Sequence, residues 1–136
     1  MRTLKHVVRS AIAVPLSLSL LMGACGKHIA TNQPVEKLPL VVNNRGYFDV
    51  TVYVLKSPGT SGVRVGNVSG SSTASLSVRL TDLQAGGRLV LRVRAIGSRR
   101  EWISPALSIG TGATARLNVF STNSGDLSQS SLFADY

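Results

Sequence analysis

Cysteine and histidine are almost missing from this chain of 136 residues, with one Cys at position 25 and two His at 6 and 28. A single cysteine excludes an intramolecular disulfide. Beyond residue 28 there is neither His nor Cys, so a zinc centre, which draws three or four such ligands together, has nothing to be built from in the folded part. A nucleophile–histidine site needs its base held rigidly within hydrogen-bond reach. His28, three residues after Cys25 in a polar segment, reads instead as an exposed linker side chain.

Acids are few as well: 6 Asp and Glu against 15 Lys and Arg, a net charge of +9. Asp49, Asp82, Glu101 and Asp126 stand singly, with no calcium loop among them. A glycosidase would require two carboxylates, such as Asp49 and Glu101, to face each other across a cleft; solvated surface acids are the expected alternative. The glycines of "GTGAT" (110–114) lack the spacing and the lysine of a phosphate loop and read as a tight turn. Neither enzymatic activity nor a cofactor is expected. Aromatics make up 5% of the chain, too few for the girdles of a membrane β-barrel even though the chain ends in Tyr136.

Long apolar runs are absent except for one. "MRTLKHVVRS" carries Arg2, Lys5 and Arg9 and no acid, and an apolar run from Ala11 to Met22 follows. That run is about a dozen residues, inside the signal-peptide range and short of the ~20 that span a bilayer. It ends in "LMGACGKH", where Gly23 and Ala24 precede Cys25. This resembles the lipobox of bacterial lipoprotein signal peptides, with Met22 where Leu is usual and Leu21 one place further back. The resemblance implies cleavage between Ala24 and Cys25, a diacylglycerol on the Cys25 sulfur, and a membrane-anchored lipoprotein of the cell envelope. Gly26, in place of Asp, implies outer-membrane delivery if the cell has two membranes. Ordinary secretory cleavage is the alternative, though its A-x-A-like pattern is met only by Ala24-Cys25-Gly26.

Removing residues 1–24 leaves 12 basic and 6 acidic side chains, a net of +6. Residues 25–39 are polar, contain Pro34 and Pro39 and show no period; they read as the lipidated cysteine and a flexible tether. From there on, short apolar runs alternate with turn residues. Phe48, Val50, Val52 and Val54 alternate with more polar neighbours. So do Ala74, Leu76, Val78 and Leu80, and Leu89, Leu91, Val93 and Ala95 within 88–96. Runs at 40–44, 63–68, 101–104, 106–109 and 113–120 complete the series. No apolar 3.6-residue period extends over ten residues outside the signal. The spacing predicts an all-β fold: a single antiparallel β-sandwich, Ig-like, of about 6–7 strands over residues 40–120, preceded by a signal helix and a linker. Residues 121–136 are Ser-rich and read as a tail or one edge strand formed by "SLFADY". Residues 41–120 also resemble small β-rich bacterial lipoproteins, which implies the fold and no activity.

The surface feature that stands out is arginine. Arg88, Arg92 and Arg94 fall at even spacing on one face of a single predicted strand, Arg99 and Arg100 follow in a loop, and Arg79 and Arg116 face outward on other strands. If those strands are neighbours, the guanidinium groups form one basic sheet face, suited to phosphate and carboxylate groups; a merely solvated outer face is the alternative. Trp102 reads as a core residue, or else as an aromatic anchor beside the Arg99–Arg100 loop. The expectation is a non-enzymatic interaction or structural module, held at a membrane by its lipid and facing an anionic envelope polymer or acidic protein. Nucleic acid is disfavoured by compartment. The alternative is a carrier or chaperone-like module that receives an envelope lipid or peptide in a groove, and a hydrolase is a third, more distant reading.

Overall fold

A computed structural model of the chain describes residues 36–136. The signal segment, Ala24, Cys25, His28 and the first part of the tether lie outside the described residues.

The fold is organised by strand β1 (Lys37–Asn44), in which Leu38, Leu40, Val42 and Asn44 are buried and alternate with exposed or half-buried neighbours. The strand begins within the stretch read as tether. Pro39 is tolerated there because β1 meets β4 (Ser72–Arg79) from Lys37 onward but meets its other neighbour, β9 (Thr114–Val119), only from Leu40. A residue without a backbone N–H is accommodated where one flank of the ladder has not yet begun. With β10 (Ser131–Asp135) outside β9, these strands form a four-stranded sheet in the order β10-β9-β1-β4. A second four-stranded sheet has the order β3-β2-β6-β7, from Val63–Val68, Val50–Val54, Leu91–Ala95 and Glu101–Ile103. A two-stranded ribbon pairs β5 (Arg88–Leu89) with β8 (Leu107–Ser108).

Both large sheets send aliphatic side chains into one core: Leu40, Val42, Ala115 and Leu117 from the first, Val50, Val52, Leu91 and Val93 from the second. Apart from Ala115 these are valine and leucine side chains at period-2 positions, and the β-branched valines suit a pleated surface. Each valine or leucine contributes about 1.5–3 kcal/mol when fully buried. The result is an all-β sandwich. One ladder departs from the antiparallel expectation, since β1 and β9 run parallel. They lie far apart in sequence, so the long connection that a parallel pair requires is supplied by the intervening strands.

Two inner-face expectations are corrected. Leu80, expected to continue the buried face of β4, begins a single 3-10 turn (Leu80–Asp82) and is 38% exposed. The run 88–96 is two strands, because Leu89, Val90 and Leu91 are all buried and the two-residue period fails at Val90. There the chain leaves the ribbon for the sheet: the Val90 carbonyl accepts from Leu55 N at 2.9 Å, and Leu91 N donates to Ser104 Oγ at 3.0 Å. In the Ser-rich C-terminal stretch, read as a tail or one edge strand, β10 forms the edge strand of the first sheet and Leu127 lies in the core.

The turn that removes Leu80 from the core buries Asp82 instead. Its carboxylate meets Lys56 Nζ at 2.7 Å and Arg79 Nε at 3.1 Å. The hydrogen bond from Lys56, aided by the charges of Arg79 and Lys56 and opposed by burial, holds the carboxyl below its ordinary value of 3.8. A depressed folded-state value means that this stabilisation is complete above pH 3.8 and is lost as pH falls through the lowered folded value. Asp82→Asn should therefore flatten the acid limb of a plot of urea midpoint against pH, whereas the parent chain should lose stability below pH 3.8. Parallel acid limbs for the two proteins would show that Asp82 does not carry this linkage.

Candidate anion-binding face

Strand β6 carries the site. Its inward residues Leu91, Val93 and Ala95 are buried, so Arg92 and Arg94 project from the outer face of the second sheet. Pairing aligns them in two rows. Arg64, Tyr53, Arg92 and Ile103 face one another across β3, β2, β6 and β7, and Asn67, Thr51, Arg94 and Glu101 form the row beside them. The β6–β7 hairpin then turns through Gly97, at φ +81°, a left-handed backbone that glycine adopts without steric cost. Beyond it come the exposed Arg99 and Arg100, and Arg100 N donates to Ser98 Oγ at 3.1 Å.

Arg92 is held differently from its neighbours. Its side chain is only 16% exposed, its guanidinium lies 4.9 Å from the centre of the Tyr53 ring, its Nε stands 4.0 Å from a Glu101 oxygen, and a terminal nitrogen donates to the Ser61 carbonyl. Such a side chain positions Tyr53 and Glu101 more than it reaches outward. The ion pairs among the described residues use Lys56, Arg79, Arg92 and Arg116, which leaves Arg64, Arg94, Arg99 and Arg100 exposed and outside them. Ile96 and Ile103, 48% and 52% exposed, add apolar surface to the same face. Near the hairpin, the Ser128 amide and hydroxyl hold the Asp126 carboxyl below its ordinary value, and the charge of Arg100 adds to the effect.

Not all of the predicted arginines come together. Arg88 belongs to the β5–β8 ribbon, where its Nε donates to the Ala85 carbonyl, and is separated from Arg92 and Arg94 by the break at Val90. Arg79 and Arg116 lie on β4 and β9 of the other sheet, and are engaged by Asp82 and Asp135. The condition for one continuous basic face, that these strands be neighbours, is not met. Trp102 is paired with Val93 and packs half-buried against the core. Arg64 belongs with the face and was passed over in the sequence reading. The signal that could have found it is its place among the alternating residues of "VRVGNV".

Among the described residues no three His, Cys, Asp or Glu side chains group as metal ligands. Asp49 and Glu101, the carboxylates considered for acid–base chemistry, are each engaged: Asp49 Oδ1 accepts from Gly70 N at 2.9 Å, and Glu101 lies beside Arg92 and across from Arg94. An open groove of about 590 Å³ lies at the opposite end of the sandwich, where β1 begins, lined in part by Leu38, Leu80, Leu83, Ile109 and Ala113. In comparisons with known proteins, no family model and no curated sequence matched the chain.

Proposed function

We propose that this chain is a non-enzymatic, lipid-anchored protein of the cell envelope whose sandwich, with an Ig-like topology, presents its second sheet to an anionic envelope component. The observation that carries the reading is the clustering of exposed Arg64, Arg94, Arg99 and Arg100 around Tyr53, Ile96 and Ile103. Arginine forms paired hydrogen bonds with phosphate and carboxylate groups, and interfaces commonly join arginine and aromatic anchors to an apolar centre. The anchor is Cys25, on the lipobox resemblance.

The direction of β1 sets which end of the sandwich carries the hairpin. The strand starts at Lys37, nearest the tether, and ends at Asn44. Asn44 hydrogen-bonds to the Phe48 carbonyl, and Asp49 O in turn accepts from Ile96 N at 2.8 Å. The β6–β7 hairpin with Arg99 and Arg100 therefore sits at the end of the sandwich away from the tether. A flexible tether leaves the hairpin free to turn away from the anchoring membrane, toward an anionic polymer or acidic protein of the envelope. A carrier for an apolar ligand is the second reading, favoured by the groove at the tether end.

The test pairs acylation with binding. Cys25→Ala should abolish incorporation of labelled palmitate and retention of the chain in the membrane fraction. The purified parent chain in detergent should bind polyphosphate, a soluble polyanion, with an affinity that falls as salt rises. Arg64, Arg94, Arg99 and Arg100 exchanged together for Gln should weaken that binding about tenfold or more. Undiminished polyphosphate binding in the quadruple variant would remove the basic-face reading, and normal acylation of Cys25→Ala would remove the anchor.

A further inference from the structure

The outer face of the first sheet has a different chemistry. A shallow groove of about 390 Å³ runs across it, lined by Val41, Asn43, Arg45, Thr73, Arg116, Asn118 and Phe133. Register explains the grouping. Thr73, Asn43, Asn118 and Ser131 occupy one row across β4, β1, β9 and β10, and Ser75, Val41, Arg116 and Phe133 occupy the next. No lysine or glutamate, the usual solvating residues of a sheet face, lines this groove. Short amides and hydroxyls stand in their place, with a phenyl ring 41% exposed at one edge.

We infer that this groove is a binding site for a carboxylated saccharide. A primary amide offers a donor and an acceptor in one plane, and a threonine hydroxyl can do either. Adjacent Asn43, whose Oδ1 already accepts a long hydrogen bond from the Thr73 hydroxyl at 3.4 Å, and Asn118 can thus each engage neighbouring sugar hydroxyls, Asn43 chiefly through its NH2. Phe133 supplies an apolar surface for the C–H face of a pyranose ring. Short side chains lose little rotamer freedom on binding, so the ordering penalty is small.

The two arginines add the charge preference. The Arg45 guanidinium lies 5.4 Å from the centre of the Phe120 ring, a contact that restrains it without an anionic partner. Arg116 binds Asp135 through Nε at 2.7 Å, so its terminal nitrogens are the ones available to a ligand. Counting Asp135, the groove carries one net positive charge, which favours a saccharide bearing carboxylates over a neutral one. A peptide strand is disfavoured, because the groove runs across the face of the sheet, whereas strand addition uses a sheet edge.

This site is on the opposite sheet from Arg94, Arg99 and Arg100, and stands or falls separately from that face. The test uses the full chain, purified in detergent and labelled with ¹⁵N, titrated with trigalacturonate and, in parallel, with the neutral maltotriose. Saturable shifts are expected in the side-chain amides of Asn43 and Asn118 with trigalacturonate, and binding about tenfold weaker with maltotriose. Asn118→Ala and Arg45→Gln should each weaken trigalacturonate binding about tenfold with the backbone spectrum retained, and the quadruple Arg-to-Gln variant should bind as the parent does. Absent amide shifts, or equal affinity in both groove variants, would overturn the site. Equal affinity for the two saccharides would overturn its preference for a carboxylate.

Discussion

Asn44→Ala is expected to lower the unfolding free energy by about 3–4 kcal/mol, the loss of several buried hydrogen bonds left half-made. Asn44 is fully buried at the end of β1. Its amide nitrogen donates to the carbonyls of Phe48 at 2.9 Å, Ser69 at 3.0 Å and, more weakly, Val68 at 3.3 Å, and its oxygen accepts from Gly46 N at 3.1 Å. One side chain in the first sheet thus fastens the entry to β2 and the exit from β3 in the second. Alanine would orphan those backbone groups, and the surroundings are too tight to rearrange around them: a Cβ on Gly70 would collide with the Tyr47 carbonyl, and one on Gly46 with Ser121. Asn44→Asp should be worse than alanine at neutral pH, because it turns a carboxylate oxygen, an acceptor, toward carbonyl oxygens and buries a charge. Urea unfolding of the three proteins checks both statements. A loss below about 1 kcal/mol for alanine would mean that water replaces the amide at this junction.

Asn44 also marks what the sequence made legible. It shares parity with Leu40 and Val42, a pattern local to the strand, but its burial follows from partners 24 and 25 residues away, which no local spacing reveals. The same parity identified Leu89, Leu91, Val93 and Ala95 as core, because period 2 is a local property of the strand. It failed where three consecutive residues are buried, at Leu89, Val90 and Leu91. There the chain changes partner, and partner choice is set by tertiary packing. The fate of the arginines has the same cause. Alternation placed Arg79, Arg92, Arg94 and Arg116 outward, as observed, but which outward face each belongs to depends on strand order. The parallel meeting of β1 with β9 puts Arg116 and Asn43 on one sheet and leaves Arg92 and Arg94 on the other. No spacing within 40–120 encodes that meeting, so the groove on the first sheet was invisible to the sequence reading while the arginines of β6 were half visible.

The sandwich lacks a disulfide and depends on its aliphatic core, which makes the centre of β1 a sensitive apolar position. Leu40 is fully buried between Leu76 of β4 and Ala115 of β9, and the next residue, Val41, points into the outer groove. Leu40→Ala should cost about 3–4 kcal/mol, combining lost transfer energy with the cavity left between two sheets that cannot close over it. Val41→Ala removes two methyl groups from a half-exposed position and should cost about 0.5 kcal/mol or less. A domain of this size has a total stability of about 5–15 kcal/mol, so the first change brings the fold near its limit while the second leaves it intact. The contrast between adjacent residues checks the register of the central strand. If the two variants unfold at the same urea concentration, or Val41→Ala is the weaker of the two, β1 does not present alternate residues to core and groove as described.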